Sequence, residues 1–332
     1  PEQSLPAALL LARANVRDHP GTASPERIAG PGNWPALLYL CSGPGNADDR
    51  VELARFLLDQ GANPSAGVRE AETVRGYRTA LGAAVGLARN PALVRLLLDA
   101  GADIHDGPSL YEGTAMWAAV RLADLQSLAI LLQAAPPHWH TCHALPHALS
   151  YNNRDMVRML LAGHADPDWT KVAHGFDGNC LHEAVSVGVD VSILDLLLEA
   201  GVHIDFNDAG GRTPLQLAVC FNRLALAERL RAAGADEGSV RPLDRWAGAC
   251  FAEDPARAQQ IAAAYPGLAS ELSAIDHLLM CRAIRFRKID TAGLLIAGGI
   301  DVNAADYDGE TALHLAARRG DADLCQTLIA AG

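Results

Sequence analysis

Aromatic side chains are scarce, 5% of a 332-residue chain, which argues against a β-sandwich, whose strands favour aromatic and β-branched residues. Abundant Ala, Leu and Gly suit closely packed helices, so an all-α protein is expected. Long apolar runs are lacking too. Stretches such as Pro6 to Ala14 and Leu96 to Leu98 are soon broken by polar residues, well short of the roughly 18 residues that a membrane-spanning helix requires. Positive charge is in deficit: 27 Lys plus Arg stand against 39 Asp plus Glu, a formal net charge of −12. Such a chain repels a phosphate backbone over most of its surface, which makes nucleic acid an unexpected partner. The seven cysteines (Cys41, Cys142, Cys180, Cys220, Cys250, Cys281, Cys325) are odd in number, scattered, and contain no C-x-x-C pair. They read as reduced thiols in a cytosol-like compartment, the cytoplasm or a host cell entered as an effector.

What is present suffices for a folded core: half of the residues are hydrophobic and a fifth are charged. Length alone suggests about two compact domains, a prior that an internal repeat overrides. Thr311-Ala-Leu-His-Leu-Ala runs to Leu328-Ile-Ala-Ala-Gly332, and Thr213-Pro-Leu-Gln-Leu-Ala runs to Leu230-Arg-Ala-Ala-Gly234 in the same frame. Thr79-Ala-Leu-Gly-Ala-Ala with Leu96-Leu-Leu-Asp-Ala-Gly101, and Asn179-Cys-Leu-His-Glu-Ala with Leu196-Leu-Leu-Glu-Ala-Gly201, repeat it with one extra residue. The closing positions 61, 101, 164, 201, 234, 299 and 332 lie 40, 63, 37, 33, 65 and 33 residues apart. The two long gaps each hide a degenerate copy, one at Thr114-Ala-Met-Trp-Ala-Ala to Ala135 and one at Trp246 to Pro266.

These motifs resemble the ankyrin repeat, with its Thr-Pro-Leu-His-x-Ala opening, a second helix ending in Leu-Leu-Leu, and a Gly-Ala-Asp turn. The resemblance implies an all-α ankyrin-repeat solenoid of about nine helix-turn-helix units joined by short β-hairpin-like loops. The residues support it locally: Thr213 can cap a helix, Pro214 fits its N1 position, and Leu215 and Ala218 face inward. Gly61, Gly101, Gly201, Gly234 and Gly299 follow second helices, where a left-handed residue is wanted, and His164 takes that place in one copy. The expected organisation is a helical cap over 1–30, with Leu5 to Arg17 shielding the first repeat, then units at 31–67, 68–107, 108–138, 139–168, 169–205, 206–238, 239–270, 271–304 and 305–332. Stability is expected to be lowest around 240–270. Leu324, Leu328 and Ile329 are expected to want a neighbour beyond Gly332, which reads as a truncation or as a face covered by another chain.

Catalytic signatures are missing. His182-Glu183 begins like a zinc-protease helix, but Ser186 stands where the second His belongs, and neither a phosphate-binding loop nor a G-x-S-x-G elbow occurs. Asp306-Tyr-Asp-Gly309 echoes a calcium loop without its distal Glu. The densest ligand set is His138, His140, Cys142, His143 and His147, which reads either as a zinc or copper site or as a hairpin tip over 138–141 followed by a helix. No catalytic residue, cofactor or metal is assigned. Cys180, Cys250, Cys281 and Cys325 are expected in the packed core.

Ankyrin-like arrays generally bind other proteins on a palm of first helices flanked by hairpin fingers. The fingers here would carry Tyr77, Tyr111, Trp139, Trp169, Phe176, Phe206 and Tyr307, either as partner anchors or folded back over their loops. The palm would carry Arg121-Leu122, Ser150-Tyr151, Arg285-Phe286 and Arg318-Arg319. Arg282, Arg285, Arg287 and Lys288 make the last units basic, which suits an acidic partner or is simply a solvated face. The reading is a non-catalytic, monomeric protein-binding scaffold, of bacterial type by its Ala- and Arg-rich irregular repeats. The alternative is the ankyrin portion of a larger enzyme or secreted effector.

Overall fold

The computed structural model describes residues 34–43, 46–69, 77–105, 115–170, 178–285, 288–306 and 309–332. The anticipated cap over 1–30 and the side chains of Tyr77, Tyr111, Phe176, Phe286, Arg287 and Tyr307 lie outside what is described. The chain divides into two compact units, residues 1–166 and 167–332.

The first unit is a row of helical hairpins: α1 (Ala36–Ser42) with α2 (Ala47–Asp59), α3 (Ala80–Gly86) with α4 (Pro91–Asp99), α5 (Ala115–Arg121) with α6 (Leu125–Gln133), and α7 (His138–Ser150) with α8 (Arg154–Ala162). First helices pack on first helices in the order α1, α3, α5, α7, and second helices on second helices in parallel. Strand β1 (Gly67–Arg69) pairs antiparallel with β2 (Tyr77–Thr79), with Gly67 opposite Thr79.

The second unit repeats the scheme with α9 (Cys180–Val187) and α10 (Val191–Glu199), α11 (Pro214–Cys220) and α12 (Leu224–Ala232), α13 (Pro242–Phe251) and α14 (Pro255–Ala264). A short α15 (Ala274–His277) then leads to α16 (Leu279–Arg285) with α17 (Ile289–Ala297), and α18 (Ala312–Arg318) with α19 (Ala322–Ala331). An isolated bridge joins Ala305 to Thr311.

Local chemistry explains where the helices begin and end. Asn46, Thr79, Asn90, Asp124, Asn153, Asn179, Thr213, Asp254 and Asp321 each accept a backbone N–H of the first turn they precede. Pro91, Pro214, Pro242 and Pro255 open helices where no donor is needed. Thr213 and Gln216 form a reciprocal capping box. The five closing glycines named above have φ between +80° and +96°, and His164 adopts +62° in the same place.

Second helices turn a narrow apolar stripe inward, such as Leu93, Val94 and Leu97 in α4 or Ile193, Leu194 and Leu197 in α10, all fully buried. Each such side chain contributes about 1.5–3 kcal/mol of burial. First helices are buried almost all round because they lie between two neighbours and their own partner. Six of the seven cysteines are buried with them, and Cys325 is half-buried on the terminal helix.

Three expectations change. Residues 138–141 are the first turn of α7 rather than a hairpin tip: Pro137 at φ −53° leads directly into helix, so Trp139 is a helical residue. Leu324 and Leu328 need no further neighbour, being buried on the preceding hairpin, and Ile329 alone of the three is exposed. The degenerate copy is uneven rather than uniformly weak. Its second helix α14 buries only Ala258. Its first helix α13 is buried through eight of ten residues and packs on α17, with Trp246 against Gly298 and the Thr291 hydroxyl donating to the Cys250 carbonyl at 3.0 Å.

The close approach of α13 to α11 depends on Gly248, where a Cβ would lie 2.3 Å from the Val219 carbonyl oxygen. Gly248→Ala is expected to lower stability by about 1–3 kcal/mol, as overpacking does. Gly293→Ala, on an exposed turn of α17 with open space around it, should raise it by about 0.5–1 kcal/mol. Urea unfolding of the two variants checks both signs.

Candidate partner-binding surface

The third position of each first helix decides what faces the next repeat. In the second unit, His182 Nε2 lies 2.9 Å from the Arg212 carbonyl and Gln216 Nε2 donates to the Ser239 carbonyl at 2.8 Å. Cys281 makes longer sulfur contacts to the Ala304 and Glu310 carbonyls. His182 Nδ1 also faces an acceptor, Asn179 Oδ1 at 2.8 Å, since Asn179 Nδ2 donates to Asp168 and to the His203 carbonyl. Burial pushes the His182 pKa down, and the hydrogen bond to the Arg212 carbonyl opposes it. In the first unit the same position holds Leu38, Gly82, Trp117 and His140.

Closing loops are tied together separately. The Asp103 N–H donates to Ser65 Oγ, His203 N–H to Asp168, Asp236 N–H to Asp205, and Asp301 N–H to His277 Nδ1, all within 2.8–3.0 Å. Around the degenerate copy these ties give way to buried charge. Arg212 donates to Asp276, Arg241 bridges Asp244 at 2.8 Å and Asp276 at 3.2 Å, and Ser273 donates to Asp276 through its N–H and hydroxyl. Arg212, Asp244 and Asp276 are all buried. Burial pushes the Asp276 pKa up, but the Ser273 hydrogen bonds and the Arg212 and Arg241 charges outweigh it and hold the carboxyl below its ordinary value.

The exposed strip of the first unit lies on its first helices. Arg121 stacks over the Trp117 ring at 4.7 Å, both on the outward side of α5. Leu87 after α3 and Tyr151 after α7 are each about half exposed, at 52% and 51%. Arg78 lies over Trp34 at 5.4 Å. Arg121 and Tyr151 were legible in the sequence as palm residues. Trp117 was missed, although its signal was there: it replaces the usual His of the Thr-x-x-His opening.

Other sequence candidates are more occupied. Trp139 is half-buried, 3.8 Å from the His140 ring and 6.0 Å from His143. Trp169 is half-buried, and Phe206 meets His182 and His203 edge-on at 6.2 and 6.0 Å, folded toward the preceding repeat. Arg285 pairs with Asp306 at 2.5 Å, Arg318 with Glu310 at 2.5 Å, and Lys288 with Glu253 at 3.4 Å. Arg319 donates to the Ile284 and Arg285 carbonyls. The basic cluster at the end of the chain is therefore largely compensated within the protein.

The histidine-rich stretch does not gather as a ligand set. His138 Nδ1 lies 3.5 Å from Cys142 Sγ, while His140 turns toward His105, with ring centroids 5.8 Å apart. Among the described residues no three His, Cys, Asp or Glu side chains are placed to hold a metal ion. Burial pushes the thiols of Cys41, Cys220 and Cys250 up to about 12 and Cys281 to about 11, so they are protonated packing groups rather than nucleophiles.

Two predictions follow from the buried polar groups. His140 is 97% inaccessible (3% exposed), makes no hydrogen bond from either ring nitrogen, and has its pKa lowered to about 4, chiefly by burial and then by His105 and His143. The fold therefore favours the neutral ring: its contribution is complete above pH 6.5 and is lost as pH falls toward 4, by up to about 3 kcal/mol. Denaturant titrations across that range should be less pH-dependent in His140→Leu. Asp276→Ala should cost about 3–5 kcal/mol by stranding Arg212, and the apolar pair Arg212→Met with Asp276→Leu should recover much of it.

Comparison with known proteins gives consistent matches. A family profile of ankyrin repeats (many copies) matches residues 280–329, and one of ankyrin repeats (3 copies) matches residues 145–240. Over 143 residues the chain is 30% identical to cyclin-dependent kinase inhibitor 2A of Homo sapiens, covering 40% of this chain and 86% of the inhibitor. Over 191 residues it is 29% identical to L-asparaginase of Dirofilaria immitis, covering 57% of this chain but only 27% of the length of that protein. The ankyrin repeat domain of Bcl-3, a member of the IkappaB protein family, shares the fold with a TM-score of 0.53 at 23% identity, covering 68% of this chain and 93% of that domain.

Proposed function

The chain belongs to the ankyrin-repeat family, and from that premise we propose that it is a non-catalytic scaffold that binds a partner protein on its first helices and adjoining loops. Ankyrin repeats generally mediate protein–protein interaction, and nothing in the chemistry of the buried thiols suits them to catalysis. The observation that carries the reading is the outward strip of the first unit, where Leu87, Trp117, Arg121 and Tyr151 stand on successive first helices or at their ends. Large rings and guanidinium groups of this kind dominate interface energetics. Of the other anchors read from the sequence, Tyr111, Phe176 and Tyr307 stay in the proposal as finger residues, Trp169 and Phe206 as half-buried rims, and Arg285 and Arg318 as secondary contacts.

The array is read as nine units behind an N-terminal cap, acting as a monomer. The acidic charge favours a protein over nucleic acid, the free thiols favour the cytoplasm, and no described helix is long and apolar enough to cross a membrane. A second reading, that the repeats serve a larger enzyme or a secreted bacterial effector, draws support from the partial match to the asparaginase. A complete reading frame that adds a catalytic domain would establish it.

The test of the main reading is a double substitution, Trp117→Ala with Tyr151→Ala, in the full chain. Affinity for a partner recovered from cell extract should fall at least tenfold while helical content by circular dichroism stays unchanged. Unchanged affinity refutes the assignment of the surface.

A further inference from the structure

The first helices of the first unit contain no acidic residue. Their sequences are Ala-Leu-Leu-Tyr-Leu-Cys-Ser in α1, Ala-Leu-Gly-Ala-Ala-Val-Gly in α3, Ala-Met-Trp-Ala-Ala-Val-Arg in α5 and His-Trp-His-Thr-Cys-His-Ala-Leu-Pro-His-Ala-Leu-Ser in α7. This occurs in a chain with 39 acidic residues. The described acids of this unit lie elsewhere: Asp48, Asp49, Glu52, Asp59, Asp99 and Asp155 are on second helices, and Asp103, Asp124 and Asp166 are in the connections between helices. The helix faces that line up side by side therefore present one cation, Arg121, with imidazoles and aromatic rings, and no compensating carboxylate of their own.

Shape reinforces charge. On α3 the outward residues are Gly82 and Gly86, four apart on one face, and a Cβ at Gly86 would touch only Ala118 Cβ at 3.8 Å. Tyr39 and Trp117, both half-buried, belong to the helices on either side, α1 and α5. With helix axes about 8–10 Å apart, α1 and α5 are separated by about 16–20 Å. Less the half-diameters of α1 and α5, about 4–10 Å is left, which admits one extended segment of chain. The second unit lacks this combination. Its first helices carry Glu183 and Asp244, and Arg285 and Arg318 are already paired with Asp306 and Glu310.

Resting on the scaffold reading above, we propose that this trough binds an acidic segment of a partner protein, with a carboxylate on Arg121 and apolar side chains over Gly82 and Gly86 beside Trp117. Stacking on the indole holds the guanidinium in place and leaves its N–H groups at the edge for a carboxylate. The sequence pointed to the C-terminal arginines for an acidic partner. The structure moves that preference to the other unit, because among the described residues no carboxylate pairs with Arg121, whereas Arg285 and Arg318 are paired.

A random 12-residue peptide display library selected against the full chain tests this. Enriched peptides should combine Asp or Glu with apolar residues. The best synthetic peptide should bind at least tenfold more weakly to Arg121→Glu, and replacing its acids with Lys should restore binding to that variant. Arg121 is exposed, so the variant should fold, as circular dichroism will show. Peptides without acidic enrichment, no enrichment at all, or equal binding to Arg121→Glu overturn the proposal. If binding is lost in Trp117→Ala although the peptides are not acidic, the partner chemistry fails and the binding face stands. If neither Trp117→Ala nor Tyr151→Ala weakens any selected peptide, the binding face fails as well.

Discussion

In a row of helical hairpins each interface must satisfy the carbonyls of the next closing loop, and a hydrogen bond from the third residue of the first helix is how the second unit does it. His182 reaches the Arg212 carbonyl and Gln216 the Ser239 carbonyl across the repeat boundary. Each bond contributes only about 1 kcal/mol net, but an unmet buried carbonyl costs about 1–3 kcal/mol. Because neighbours touch only neighbours, no distant contact makes up a local loss. The identity of that one residue therefore sets both the strength of an interface and what remains on its outer side. Where it is Gly82 there is no side chain to reach across, and where it is Trp117 an indole with a single N–H stands in the place of the imidazole or amide.

The degenerate copy shows the same constraint met by different means. Arg241-Pro-Leu-Asp244 occupies the frame of the usual opening, and Asp244 turns back to its own Arg241 rather than forward. Forward contact is instead made by Arg212 and Arg241 on Asp276, a carboxylate supplied by the short α15. Buried ion pairs add little net stability but strongly disfavour separation of the partners. The network thus fixes how the neighbouring hairpins meet, while α14, with one buried residue, is held mainly through α13. Local opening is expected first in α14, for lack of buried apolar area.

Much of this was legible from residue pattern. The helix openings at Thr79, Asn179, Thr213 and Thr311 and the left-handed closing residues follow from capping and backbone sterics, which act within a few positions of the chain. His164 in place of glycine was readable for the same reason. What was not legible depends on residues far apart. The pairing of Arg285 with Asp306 joins positions 21 apart, and that of Arg212 with Asp276 joins positions 64 apart. The helical placement of Trp139 was hidden because His, Trp and Thr are indifferent helix formers beside two prolines, so burial of His140, Thr141 and Cys142 decides the conformation instead. Trp117 was not legible as a surface residue because the repeat frame accounts for an aromatic at that position by packing alone, and its stacking with Arg121 is visible only in the structure.

Charge separates the roles of the two units. Where arginines stand beside acidic hairpin residues, as Arg318 does beside Glu310, they act on the protein itself, and a partner would have to displace an existing ion pair to use them. Exposed pairs of that kind are worth little, about 0–1 kcal/mol, yet they lower the local potential that would draw in an anionic partner. Arg121 has an indole beneath it, which orients the guanidinium without cancelling its charge. A cation held by an aromatic ring keeps most of its attraction for a carboxylate, whereas a cation held by a carboxylate does not. Tryptophan in the place of the usual histidine at position 117 thus supplies the ring on which Arg121 is held.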